Sequence, residues 1–212
     1  MPRYRAIARG LAALRGAMDR HVVGHTTVKR GLLLGLVASE HVYIEGPPGI
    51  AKTMLANVAA DAADMDLFYY QSHRDTRLAE LVGDEVILRE PAPDGGRGEV
   101  VRQSTVRGGV LAAELVVLDD VSRAPGEALN VLLQILNERT YGGAPLPLRT
   151  AIATGNPTED DLHYNEPLDP ATLDRFTLHL RAEGMIGGGR DWDGARRVVE
   201  LYEGGGEPTD EG

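Results

Sequence analysis

The side chains best suited to chemistry lie in one glycine-rich stretch, residues 46–53. An apolar run typical of a strand, 41–44, precedes it, and a run typical of a helix, 54–60, follows. Backbone N–H groups in such a turn and at the start of the helix form a positively polarised nest for phosphate oxygens. Lys52 adds a full positive charge, and the Thr53 hydroxyl can ligate Mg²⁺. The order of these features predicts a phosphate-binding loop.

One position departs from the usual pattern of such loops. Ala51 stands directly before the lysine, where the pattern has glycine. A methyl group fits there at negative φ, whereas positive φ would strain it. An ordinary strand-to-helix turn with a solvated lysine is the alternative interpretation, so other parts of the chain must decide.

Two further polar clusters directly follow apolar runs. Asp119 and Asp120 end the run 115–118, and Asn156 follows the run 149–154. Strands that alternate with helices predict a parallel sheet covered on both faces, and ligands of such sheets bind beyond the carboxyl ends of the strands. The phosphate-binding loop, the two acids and the asparagine are therefore expected to meet at one edge.

Hydrophobic periodicity and turn residues predict the remaining elements. The predicted helices are 4–20, 26–38, 54–60, 128–137, 168–176 and 191–203. The predicted strands are 41–44, 67–71, 115–118, 149–154 and 177–180. Two tips rich in proline and glycine, 91–98 and 141–145, predict hairpins, the first between runs 85–89 and 99–103.

Composition disfavours several classes of protein. The chain of 212 residues has no cysteine, which argues against a disulfide framework or a thiolate metal site. The amino terminus lacks the apolar core of a signal peptide and no run approaches membrane-spanning length, so a cytoplasmic protein is expected. A net charge of −10 argues against a large nucleic-acid footprint. Lysine occurs only at positions 29 and 52, and a lysine at 52 suits a phosphate site.

As a set, these segments resemble those of AAA+ ATPases and, within them, the MoxR group with its helix-2 insert. The resemblance covers residues 20–180. It is carried by residues 22–25, 46–53, 119–120, 122–125, 137–139, 153–157 and 173–176.

The resemblance implies an α/β fold, a P-loop AAA+ core with a parallel sheet flanked by helices and two inserted β-hairpins. The core is expected over 1–183, and 184–212 is expected to hold a glycine-rich linker, the start of a lid helix and a flexible tail. The helical lid that the family carries next is expected to be largely absent.

The resemblance also assigns site residues. Thr53 and Asp119 would hold Mg²⁺, while Asp120, Asn156 and Arg175 would be catalytic. The residues implied in ATP binding are Val22, Val23, Gly24, His25, Gly46, Pro47, Pro48, Gly49, Ile50, Ala51, Lys52, Thr53 and Met54.

One of these assignments departs from the family pattern and one has an alternative. Asp120 occupies the position of the family's catalytic glutamate, which predicts slow hydrolysis. Arg175 is expected to act on the nucleotide of a neighbouring subunit, the alternative being an ion pair within the chain, with Asp174 or another acid. Arg123 and Arg139 rank lower as interface residues.

The function implied is that of a MoxR-like chaperone or remodelling ATPase, which binds and hydrolyses Mg-ATP and acts on a partner protein. A homo-oligomeric ring is expected, a hexamer by family resemblance, with a partner that contains a von Willebrand factor A domain. The hairpins would contact the client. Two alternatives stay open: a nucleotide-dependent binding module that scarcely hydrolyses ATP, and a nucleic-acid motor, which the acidic charge disfavours.

Overall fold

The computed structural model describes residues 2–83, 85–91, 99–105, 108–157, 168, 170–184 and 191–203. Its helices are α1 Pro2–His21, α2 Thr26–Ala38, α3 Lys52–Asp61, α4 Leu78–Val82, α5 Gly126–Glu138, α6 Pro170–Leu173 and α7 Trp192–Glu203. Its strands are β1 Val42–Glu45, β2 Leu67–Gln71, β3 Glu85–Pro91, β4 Glu99–Thr105, β5 Leu115–Asp119, β6 Thr140–Tyr141, β7 Ala144–Pro145, β8 Thr150–Gly155 and β9 Leu178–Arg181.

The main sheet has five strands in the order β2-β5-β8-β1-β9, and every neighbouring pair is parallel. The two strands that carry the predicted acids and asparagine, β5 and β8, are adjacent, and β1 lies beside β8. Every residue of β5 and β8 is buried, as expected for strands covered on both faces. The carboxyl ends of β1, β5 and β8 consequently share one edge of the sheet.

Alternate residues of β5 pack into two separate hydrophobic cores. Val116 and Leu118 point into a cluster dominated by α5, which buries Leu132 and Leu136. Leu115 and Val117 belong instead to a cluster with α1, α2 and α3. This alternation follows from the two-residue repeat of a strand, and it fixes the sheet between two helical layers, so that the loops at its carboxyl edge rest on a rigid base.

The predicted α/β class and the parallel sheet between helices are confirmed. Both predicted hairpins form, since β3 pairs with β4 and β6 pairs with β7, each antiparallel. The tip of the first hairpin lies outside the described residues, as do the loop 158–166, the glycine linker 187–189 and the tail 204–212.

Several predicted boundaries move by a few residues. The helix expected over 168–176 is only α6, Pro170–Leu173, because the chain turns at Asp174 and enters β9 soon afterwards. The helix predicted over 128–137 is α5, which begins two residues earlier, at Gly126, with Pro125 as its cap. Within the part of the chain that the structure describes, no helix combines the length and the apolar character needed to span a bilayer.

Candidate functional site

Three loops at the carboxyl edge of the sheet enclose a cavity of about 440 Å³. They follow β1, β5 and β8, the strands whose ends carry the predicted polar residues. The lining consists of Pro48, Gly49, Ala51, Lys52, Thr53, Met54, Asp119, Asp120, Arg123 and Asn156. The structure thus brings together the predicted phosphate, metal and water-positioning residues, and it adds Arg123, which the sequence had ranked as an interface residue.

Lys52 is the cationic centre of this cavity. Its ammonium donates to the carbonyl oxygens of Gly46 at 2.5 Å and Pro47 at 2.8 Å, and to Asn156 Oδ1 at 3.1 Å. The residue is only 8% exposed. Burial lowers the pKa of Lys52, and the charges of Asp120 and Asp119 oppose that effect. A positive charge at the start of a helix is suited to phosphate oxygens, which would replace one of these three acceptors.

Asp119 is held in place by three hydroxyl groups. Thr53 and Thr154 both donate to Asp119 Oδ1, at 2.7 Å and 2.5 Å, and the Tyr69 hydroxyl lies 3.5 Å from Oδ2. The carboxylate and the Thr53 hydroxyl are hard oxygen donors of the kind that Mg²⁺ prefers. Among the described residues no group of three or more His, Cys, Asp or Glu side chains forms a metal cage. The donor set therefore fits Mg²⁺ that takes its other ligands from water and phosphate.

Asp120 lies beside Asp119 in a left-handed conformation, with φ of 51°. Its N–H donates to Thr154 Oγ1 at 3.1 Å, so one buried hydroxyl orients both acids. The Asp120 carboxylate is 3.4 Å from Arg123 Nε. Sequence reasoning assigned no role to Thr154 or Tyr69. The one local signal for Thr154 was a hydroxyl at the carboxyl end of a buried strand, which also carries Thr150 at its start.

The backbone of the phosphate-binding loop is left-handed at two positions, Gly49 with φ of 80° and Ala51 with φ of 63°. Ala51 thus has the positive φ at which its methyl group is strained. At Gly46 a Cβ atom would collide with the Ala182 carbonyl, and at Gly155 it would collide with the Tyr43 hydroxyl. These two glycines are required by close packing around the loop.

A second cavity, of about 560 Å³, adjoins the first and shares Gly49, Ala51 and Met54 with it. Its lining consists of His21, Val22, Val23, His25, Gly49, Ile50, Ala51, Met54, Gly184, Ala195, Val198, Val199 and Leu201. Burial is the main cause that lowers the pKa of His25, whose imidazole bonds to the backbone of Ile50. A mostly apolar cavity beside a charged one suits a flat base next to its phosphates.

Three of the predicted binding residues, Gly24, Gly46 and Pro47, line neither cavity and contribute through their backbone, whereas Pro48 does line one. Gly24 shapes the turn before α2 with φ of 76°. Gly46 and Pro47 supply the carbonyl oxygens that hold Lys52. Pro48 lines the charged cavity.

Arg175 is the predicted catalytic residue that the structure does not bring to the site. It is exposed and lies shortly before β9, at the amino-terminal edge of the sheet. The ion pair with Asp174 does not form, and among the described residues no carboxylate is paired with Arg175. Arg139, in contrast, donates to the Ser39 carbonyl within the chain.

Comparison with known proteins gives consistent matches. The profile of the AAA domain (dynein-related subfamily) matches residues 41–176. Chaperone MoxR1 of Mycobacterium tuberculosis is 29% identical over 185 residues, which are 82% of this chain and 46% of that protein. An uncharacterized protein of Methanocaldococcus jannaschii is 32% identical over 175 residues, 81% of this chain and 42% of its own length.

The chain spans about half the length of these curated relatives. A crystal structure of a protein from Cytophaga hutchinsonii superposes with a TM-score of 0.59 at 23% identity, over 95% of this chain and 61% of the other. That likeness shows the fold.

Proposed function

We propose that this chain binds Mg-ATP, hydrolyses it and uses the cycle to remodel a partner protein. The chain belongs to the dynein-related subfamily of AAA domains and is of the MoxR type. The observation that carries the proposal is the pair of adjoining cavities. One combines Lys52, Thr53 and Asp119 at the start of α3, and the other is mostly apolar. Together they match the two chemical halves of a nucleotide.

Each residue of the charged cavity has a proposed task. Lys52 binds phosphate oxygens, while Thr53 and Asp119 hold Mg²⁺, which supplies positive charge against the phosphates when bound. Asn156 and Asp120 orient a water molecule. Because the transferred phosphoryl group needs positioning and electrostatic stabilisation more than covalent help, the reaction proceeds without a covalent intermediate.

Asp120 makes slow hydrolysis the expected outcome. Aspartate is one methylene shorter than the glutamate of the family, a difference of about 1.5 Å, and a misplacement of roughly 1 Å can cost about a hundredfold in rate. The Asp120 carboxylate is also engaged by Arg123, whose Nε lies 3.4 Å away. These two features favour, as a second candidate, a switch that binds ATP and scarcely hydrolyses it.

Arg175 is proposed to complete the site of a neighbouring subunit. Its exposure and its distance in the fold from the charged cavity leave it available to another chain. A guanidinium supplied in trans stabilises charge in the transition state and raises rates by orders of magnitude. The assembly proposed is a ring of identical subunits, a hexamer by family resemblance.

The partner is proposed to be a protein that contains a von Willebrand factor A domain, in the cytoplasm. The name of the mycobacterial relative supports a chaperone role. The β3–β4 and β6–β7 hairpins are the proposed client contacts. Helix α7 is proposed as the beginning of a lid, because Ala195 and Val198 line the apolar cavity, with residues 1–183 as the core.

A calorimetric titration with Mg-ATP tests the proposal. Lys52→Ala should abolish or strongly weaken binding, whereas Arg30→Ala, which removes an exposed cation of α2 outside both cavities, should not. Trp192, the single tryptophan, lies one helical turn before Ala195 and gives an independent fluorescence signal. Equal affinity of the Lys52→Ala and unmodified proteins would remove the central claim.

A further inference from the structure

Lys29 is a buried lysine without a task in the proposed reaction. It lies on α2 and is 3% exposed. Its ammonium donates to the carbonyl oxygen of Val22 at 2.5 Å and to the carboxylate of Asp19 at 2.6 Å. A buried ammonium must be paired and hydrogen-bonded to be tolerated, so these two contacts determine where its charge lies.

The turn that Lys29 holds is strained. Gly24 and His25 are successive left-handed residues, with φ of 76° and 50°. Such a conformation at a non-glycine residue persists only when the surroundings enforce it. The Lys29 side chain contributes to this by binding the Val22 carbonyl, whereas the bond from the Lys29 N–H to the His25 carbonyl, at 2.9 Å, is the ordinary first bond of α2.

The hydrogen bond from Lys29 to the Val22 carbonyl also orients the N–H group of Val23. The C=O and N–H groups of a planar trans peptide point in opposite directions, so a Val22 carbonyl aimed at Lys29 sends the Val23 N–H the other way. Among the described residues the Val23 N–H has no hydrogen-bond acceptor. Val22 and Val23 both line the apolar cavity. A backbone donor without an acceptor beside such a cavity suits a ligand that carries an acceptor.

We propose that Lys29 is a positioning residue, which orients the Val22–Val23 peptide so that its N–H recognises an acceptor nitrogen of an adenine base. The inference rests on the proposed ATP function and adds the origin of its base selectivity. Adenine has a ring acceptor at N1 where guanine carries an N–H, so the same donor favours ATP and opposes GTP. A site built around one hydrogen bond discriminates because the mismatched ligand leaves a polar group unpaired.

The test separates the base from the phosphates. Affinities of Mg-ATP, Mg-GTP and magnesium tripolyphosphate, which has no base, are measured by calorimetry for the unmodified protein and for Lys29→Met. Loss of one oriented hydrogen bond should weaken ATP binding about threefold to tenfold and narrow the ATP-to-GTP ratio. Tripolyphosphate affinity should stay within about twofold, because Lys52 and Thr53 are untouched.

The matched control is Arg30→Met, which removes a neighbouring cation from the exposed side of α2 and should leave all three affinities unchanged. Equal weakening of ATP and tripolyphosphate by Lys29→Met, or no weakening of ATP, would overturn the inference. An unmodified protein that binds neither ATP nor tripolyphosphate would refute the proposed function instead.

A second variant covers the case in which Lys29→Met does not fold. The Asp19 side chain is 49% exposed, so Asp19→Ala spares the core while it releases the anchor of the ammonium. The same selective loss of ATP affinity is expected. An unchanged ATP-to-GTP ratio in folded Asp19→Ala protein would count against the role of Lys29.

Discussion

Ala51→Gly should stabilise this protein, although most substitutions to glycine destabilise. Ala51 caps α3 with φ of 63° and ψ of 26°, the left-handed region that its Cβ makes unfavourable by roughly 1–2 kcal/mol. Glycine removes that strain, and its greater freedom in the unfolded chain offsets about 0.4–1 kcal/mol of the gain. The net effect is a free energy of unfolding that is about 1 kcal/mol higher. For a chain of this size that corresponds to a rise of about 2–4 °C in Tm.

The matched control is Ala62→Gly at the other end of the same helix. Ala62 has φ of −76° and ψ of −13°, a right-handed conformation without strain to relieve, and it is exposed. At Ala62, glycine only increases the conformational entropy of the unfolded chain, so Tm should fall by about 1–4 °C. Differential scanning calorimetry without nucleotide measures both variants against the unmodified protein. If Ala51→Gly lowers Tm as Ala62→Gly does, the left-handed strain at Ala51 is refuted.

Three other predictions concern catalysis, assembly and pH. Asp120→Glu should leave ATP affinity near normal and raise the single-turnover rate, by up to about a hundredfold if reach alone limits it; a slower variant at saturating ATP would show that Asp120 does not detune hydrolysis. Arg175→Ala should retain nucleotide binding and lose turnover, and mixing it with Lys52→Ala protein should restore some activity, because one kind of mixed interface has both parts intact. No recovery in demonstrably mixed oligomers would argue against a trans role. His41 is buried, with Nδ1 accepting the Ala151 N–H at 3.0 Å and Nε2 bonded to the Leu136 carbonyl at 2.8 Å, and burial is the main cause that lowers its pKa below 6.5. Folding favours the neutral form of His41. The contribution of His41 to the free energy of unfolding is therefore complete above about pH 6.5 and is lost as the pH falls below that value. Urea unfolding of the unmodified protein and of His41→Gln at pH 5.5 and 7.5 should show a weaker pH dependence in the variant, and equal dependence would contradict this role.

The elements and the class of the fold could be predicted from the chain because their signals are local. Apolar runs with a period of two or 3.6 residues identify strands and helices without reference to distant residues. The convergence of Lys52, Asp119 and Asn156 could also be expected, since parallel strands place their carboxyl ends at one edge. The residues able to bind phosphate and metal could therefore be identified from the sequence alone.

The partners of those residues were decided by tertiary structure. Thr154 reaches Asp119 across two adjacent strands, and Lys29 reaches back to Val22 across a turn. Local periodicity carries no information on which hydroxyl or carbonyl will face a given charge, because that depends on the register between strands and on helix packing. The left-handed φ of Ala51 was undetermined for a similar reason. Its sequence context allowed either sign, and only the folded chain shows the strained one, with φ of 63°.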